Sequence, residues 1–275
     1  MIPNNFFKIM FYLSLSMLLG GSLQSCEEVI DVDLNDAAPK LSIDGKIILN
    51  QPAEVQLSYT SNYFSDEAPD YEKNAIVTIK NSDGISETLE HSRNGLYQGR
   101  LLRGQDGHEY TLEINVADKT YQGKSKILTP TEIVKLGYVE FDGFGGGQDE
   151  TEYNLEITLK NNPNEENYYL IKYYLNGSEK EETYSVWSHE FFPNEETIEF
   201  TPLRFSFTKG DEVTVQAYSI DEGTYEFYSQ LDEIIDQQGG GSSTPFNPQS
   251  NMGKDVLGYF RAWSFDTQSI RVEEE

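Results

Sequence analysis

From Leu41 onward the chain places apolar residues at every second position in short runs, and that period of two restricts it to strands. Leu41, Ile43 and Gly45 alternate with polar neighbours, as do Val55, Leu57 and Tyr59. The β-branched run Ala75–Ile79 closes on Asn81-Ser82-Asp83-Gly84, a hairpin-type turn in which Gly84 can take positive φ. Tyr110, Leu112, Ile114 and Val116 share one face, opposite Thr111, Glu113 and Asn115. With further runs at Gly95–Arg100 and Tyr121–Leu128, roughly seven strands with turns about every 8–12 residues predict a sandwich. Pro130 cannot donate to a strand ladder, so a boundary is expected there, leaving 41–130 as an N-terminal β-sandwich domain.

Residues 131–275 read as a second β-rich domain. Ile133–Phe141 leads into Asp142–Gln148, whose glycines are followed by neither Lys-Ser nor Lys-Thr and by no helix. That stretch is expected to be a loop and not a phosphate cradle. Tyr153, Leu155, Ile157 and Leu159 alternate cleanly. Tyr168–Leu175 is apolar or aromatic at all but Lys172, the pattern of a strand covered on both faces. Further strands are expected near Glu182–Trp187, Thr197–Phe200, Leu203–Thr208 and Val213–Ala217, with Asp255–Ser264 as a closing strand. One helix is predicted near 224–237: Tyr225, Tyr228, Leu231, Ile234 and Ile235 recur at helical spacing between caps at Asp221–Thr224 and a stop at Gly239. The expected fold class is all-β, with two immunoglobulin-like β-sandwich domains, the second carrying one short α-helix.

Ahead of the strands, Lys8 precedes the apolar run Ile9–Leu19 and the tetrad Leu23-Gln24-Ser25-Cys26. An apolar segment this short, with a basic start and a small-residue exit, reads as a secretory signal over 1–25 and not as a spanning helix. Cys26 is the only cysteine, placed where a bacterial lipobox puts the residue that is lipidated. A lipid there consumes the thiol and leaves no cysteine for a disulfide. Acyl chains contribute about 0.8 kcal/mol per buried methylene, so such a cysteine anchors a domain without inserting protein. Residues 26–40 form an acidic tether, and Glu27, Glu28, Asp31 and Asp33 match an export signal toward the outer face of the outer membrane. Asp31–Asn35 opens like a calcium loop, but its sixth position is Asp36 and its twelfth Ser42, so that motif fails. A formal charge of −27 repels nucleic acid, and no nucleic-acid partner is expected.

Several segments together carry a family likeness: Cys26 with its acidic followers, Lys40–Gly45, Ala75–Gly84, Gly107–Leu112, Val215–Tyr228, Pro245–Asn251 and Gly258–Phe260. In this order they resemble the Bacteroidota lipoproteins grouped as domain of unknown function 4249. The resemblance implies an outer-membrane lipoprotein encoded beside, and serving, a TonB-dependent β-barrel receptor. It supplies neither a ligand nor catalytic residues.

The chain's own chemistry is sparse. His91, His108 and His189 are far apart, no zinc-helix or nucleophile-elbow motif occurs, and with 47 acidic residues no particular carboxylate pair stands out. No catalytic residue, metal ligand or cofactor is therefore expected. The aromatic stretch Tyr168–Phe192 supplies the first binding candidates, Tyr184, Trp187 and Phe191, with sandwich core as the alternative role. Asn247 and Asn251, on a loop stiffened by Pro245 and Pro248, are the second, with a structural plug beneath Tyr259-Phe260 as the alternative. The expected function is a non-catalytic binding accessory of an uptake receptor. An adhesin or structural surface module is the alternative, and a surface hydrolase ranks below both.

Overall fold

A computed structural model of the chain describes residues 38–61, 68–141, 151–202, 204–237 and 246–273. The leader, Cys26, the tether to residue 37, the glycine-rich 142–148 and Gly239–Ser243 lie outside the described residues. Among the described residues, sixteen strands, a 3-10 turn at His189–Phe191 and one α-helix occur. The first eight strands are β1 (Leu41–Ile48), β2 (Pro52–Tyr59), β3 (Ile76–Asn81), β4 (Ser86–Thr88), β5 (Glu90–Arg93), β6 (Leu96–Arg103), β7 (Glu109–Val116) and β8 (Lys119–Lys126). Then come β9 (Ile133–Phe141), β10 (Glu152–Lys160), β11 (Tyr168–Leu175), β12 (Ser178–Ser188), β13 (Thr197–Phe200), β14 (Phe207–Thr208) and β15 (Glu212–Ile220). Helix α1 (Glu222–Gln237) and β16 (Leu257–Arg271) follow, so the all-β class holds, with one α-helix among the described residues.

Eight strands form a single sheet in the order β12-β11-β15-β16-β1-β2-β6-β5. It draws strands from both sides of residue 130, because β16 runs parallel to β1, with Ser42 opposite Leu257 and Ile48 opposite Trp263. Two four-stranded sheets accompany it: β4-β3-β7-β8, and one in which β10 pairs with β9 along one edge and with β13 and β14 along the other. The expected strand over Leu203–Thr208 shortens to β14. Phe205 and Phe207 both bury, but the backbone meets β10 only at Glu152 and Tyr153.

The alternation along β16 shows how the layers stack. Phe260 and Ala262 enter a core with Ile43 and Ile47 of β1, Val55 and Leu57 of β2, and Leu112 and Ile114 of β7. Further along the same face, Ser264 Oγ donates to the Leu128 carbonyl (2.6 Å), and Asp266 accepts from the Ile133 amide (2.9 Å). Ile270 then packs on a second core built from Leu155 and Ile157 of β10, Ile171 and Tyr173 of β11, and Val213 and Val215 of β15. Both small sheets therefore cover one face of the large sheet, and each fully buried aliphatic or aromatic side chain there contributes about 1.5–3 kcal/mol. The odd residues of β16 point the other way, where Trp263 joins Leu170, Tyr218, Ile220 and Tyr228 in a third cluster under α1. β11 thus buries side chains on both faces, as its run broken only at Lys172 predicts.

Three local devices hold this arrangement. Gly258, at φ +84, lets β16 start close against β1, since a Cβ there would meet the Ile43 carbonyl oxygen at 2.0 Å. Asp221 caps α1 by accepting from the Thr224 amide (2.9 Å), and its other oxygen accepts from Ser125 Oγ (2.5 Å) and the Lys126 amide (2.9 Å) of β8. In β6 the register against β2 shifts between Gln98 and Arg103. The amides released there, Arg100, Leu101 and Leu102, all donate to the Glu87 carboxylate of β4 at 2.7–3.0 Å. Glu87 thereby ties the edge of one sheet to the other.

Candidate ligand cleft

On the face of the large sheet opposite the two main cores, the helix covers one end and leaves the rest open. Period-two geometry brings five strands' worth of side chains to that open area. Lys46 and Asp44 come from β1, Lys172 and Tyr174 from β11, Tyr184 from β12, Tyr218 from β15, and Arg261 and Trp263 from β16. Tyr228 and Leu231 of α1 and the hairpin segment Glu179–Glu181 wall the space, a cleft of about 420 Å³. That volume lies in the range of small-ligand sites, about 300–1,000 Å³.

The floor is aromatic and buried. Trp263 and Tyr218 are 4 % and 5 % exposed, with ring centroids 4.5 Å apart. The Arg261 guanidinium lies 5.0 Å and the Lys172 ammonium 5.9 Å from the Trp263 ring, both cation–π contacts. Arg261 Nη2 donates to Asp44, Lys172 Nζ to Glu179 at 2.6 Å, and Lys46 pairs with Glu54 at 3.2 Å. Gln216 Oε1 accepts from both Tyr218 (2.6 Å) and Tyr174 (2.9 Å). Burial, then the Glu179 carboxylate, push the Tyr174 phenol up to about 12, so it stays protonated and donating at neutral pH.

Residues 27–269 match the family model described as domain of unknown function (DUF4249). The chain belongs to that family. Every cleft residue falls inside the matched span, so the cleft belongs to the DUF4249 domain itself. No curated protein matches the chain.

Of the five binding candidates in this DUF4249 chain, only Tyr184 lines the cleft, donating its hydroxyl to the Tyr228 carbonyl at 3.1 Å. Trp187, three positions on, faces the opposite side of β12, with ring centroids 5.1 Å from Phe192 and 4.9 Å from Phe200 at the margin of the second core. Phe191 is 66 % exposed beside a separate depression formed with Phe192 and Pro193. Asn251 has its amide committed: Nδ2 donates to the carbonyls of Lys124 (3.0 Å) and Phe260 (2.7 Å), and Oδ1 accepts from the Phe260 amide (2.9 Å). That is the plug alternative, a side chain pinning its loop to β8 and β16. Asn247 is exposed and outside the cleft lining.

The cations of the cleft are what sequence reading misses. A signal was present: Lys172 interrupts an apolar run, and Arg261 stands between Phe260 and Trp263 in the closing strand. Among the described residues no group of three or more His, Cys, Asp or Glu side chains is placed to hold a metal ion. His108 pairs with Asp83 at 3.0 Å, while His91 and His189 pack edgewise or tilted on Tyr97 and Tyr168.

Proposed function

We propose that this DUF4249 protein is a lipid-anchored, non-catalytic binding protein of the outer-membrane surface that serves a TonB-dependent uptake receptor. The observation that carries the binding role is the cleft: polar groups from five strands converge on a space of small-ligand size, floored by buried aromatic rings. Five mutually hydrogen-bonded strands make a rigid seat, which lowers the ordering cost of binding. The anchor rests on the lipobox ending at Cys26 and the acidic residues after it. The receptor partnership rests on the family resemblance.

Affinity capture of the tagged lipoprotein from gently solubilised native membranes tests this reading. The expected result is a TonB-dependent β-barrel recovered in stoichiometric amount, lost when Cys26→Ala removes the anchor. A fully lipidated protein that comes out alone overturns the accessory role.

A further inference from the structure

A donor and acceptor balance within the cleft points to its ligand. This step rests on the binding role proposed above. Several acceptors are already engaged: Asp44 accepts from Arg261, Glu179 from Lys172 and from Tyr174 at 3.2 Å, and Gln216 Oε1, beside the lining, from two tyrosine hydroxyls. The donors are in surplus. A guanidinium carries five N–H groups and an ammonium three, and here each gives one to a carboxylate. The buried Arg261 Nε and Trp263 Nε1, both from residues of the lining, have no acceptor among the described residues. Buried donors without partners are costly, about 1–3 kcal/mol each.

The charge distribution points the same way. The chain as a whole has 47 acidic against 20 basic residues, yet in this one space Lys46, Lys172, Lys180 and Arg261 match Asp44, Glu179, Glu181 and the Glu54 paired with Lys46. Lys172 and Arg261 are only 19 % and 15 % exposed, so their charges act through little solvent. A cationic ligand would meet the Arg261 and Lys172 charges beside Trp263 and would bring no acceptor to the unpartnered Arg261 Nε and Trp263 Nε1.

We infer that the cleft binds a small organic oxyanion, a carboxylate or phosphate, whose oxygens accept from Lys172 and Arg261. Charge-assisted hydrogen bonds of this kind are short and strong, and the fork of the guanidinium suits both anions.

Fluorescence titration provides the test. The chain has two tryptophans, so Trp187→Phe, remote from the cleft, leaves Trp263 as the only tryptophan, read selectively by red-edge excitation that tyrosine does not absorb. The purified lipoprotein in detergent is titrated with glucuronate, glucose 6-phosphate, glucose and glucosamine, four probes of one ring that differ in charge. The two anions are expected to shift Trp263 emission at concentrations about tenfold or more below those needed for glucose, the weight of one charge-assisted hydrogen bond. The stronger anion distinguishes carboxylate from phosphate. Arg261→Gln and the less buried Lys172→Gln are each expected to abolish that preference, and the second remains informative if the first fails to fold. Equal response to glucose, preference for glucosamine, or no response to either anion overturns the inference. Any of these leaves membrane capture free to succeed, so the two readings fail separately.

Discussion

Glu87 shows how much one side chain can decide. Burial works to raise its carboxyl, but hydrogen bonds from the backbone amides of Arg100, Leu102 and Leu101, then the Arg100 charge, outweigh it and hold it below the usual range. A carboxyl depressed in the folded state contributes stability that is present above its unfolded value, about 4.3, and lost as pH falls through the folded one. Thermal melts of the wild type between pH 7 and pH 3 should show that loss. Glu87→Gln should melt lower at pH 7, by about 1–3 kcal/mol, and show a shallower fall toward acid. Equal acid sensitivity in the two proteins would remove Glu87 from the explanation. None of this is legible in the sequence, where Glu87 is one of 47 acidic residues. The same holds for Asn251: a loop asparagine and a plug asparagine look alike until the strands it bridges are placed.

At the level of elements, periodicity reads faces well and neighbours poorly. The apolar stripe from Tyr225 to Ile235 locates α1 to within two residues at its start, since a 3.6-residue repeat has no other interpretation. In the structure that stripe lies on a sheet face, where Tyr225, Tyr228 and Leu231 join the third cluster. The expected strand Asp255–Ser264 corresponds to β16, which begins at Leu257 and runs on to Arg271, but the sequence carries no information on which strand lies beside it. Tyr184 and Trp187, both binding candidates in the sequence, part for a similar reason: an odd separation on a strand sends the two rings to opposite faces. The helix has its own test. Asp221→Ala removes the cap on α1 and both contacts to β8, and should cost about 1–3 kcal/mol in urea unfolding. Asp221→Asn, which keeps the acceptor at the cap, should recover part of that loss. If both variants unfold at the wild-type midpoint, the carboxylate does not tie the helix to the sheet.

Across the whole molecule, the two halves share a framework. Met252, Val256, Phe260 and Ala262 belong to the core that otherwise comes from β1 to β8. A fragment of residues 38–130 lacks those four side chains and the strand beside β1, and should be largely unfolded. An amide correlation spectrum decides this: collapsed, poorly dispersed signals are expected, and a well-dispersed set would mean that the N-terminal half stands alone. The alternation along each strand makes sandwich layers legible from the sequence. A sheet common to both layers is not legible, because it depends on one long-range pairing that no local pattern encodes.

That pairing also has a consequence in time. Asp44 and Arg261, bonded across β1 and β16, are 217 residues apart in the chain. A polypeptide made from its N-terminus leaves that edge of β1 open until β16, some 217 residues further on, arrives to cover it. Contacts of such separation slow folding and lengthen exposure to wrong partners. β1 is thus finished only after β16 has been made, and loss of β16 should harm the earlier strand as much as the later ones.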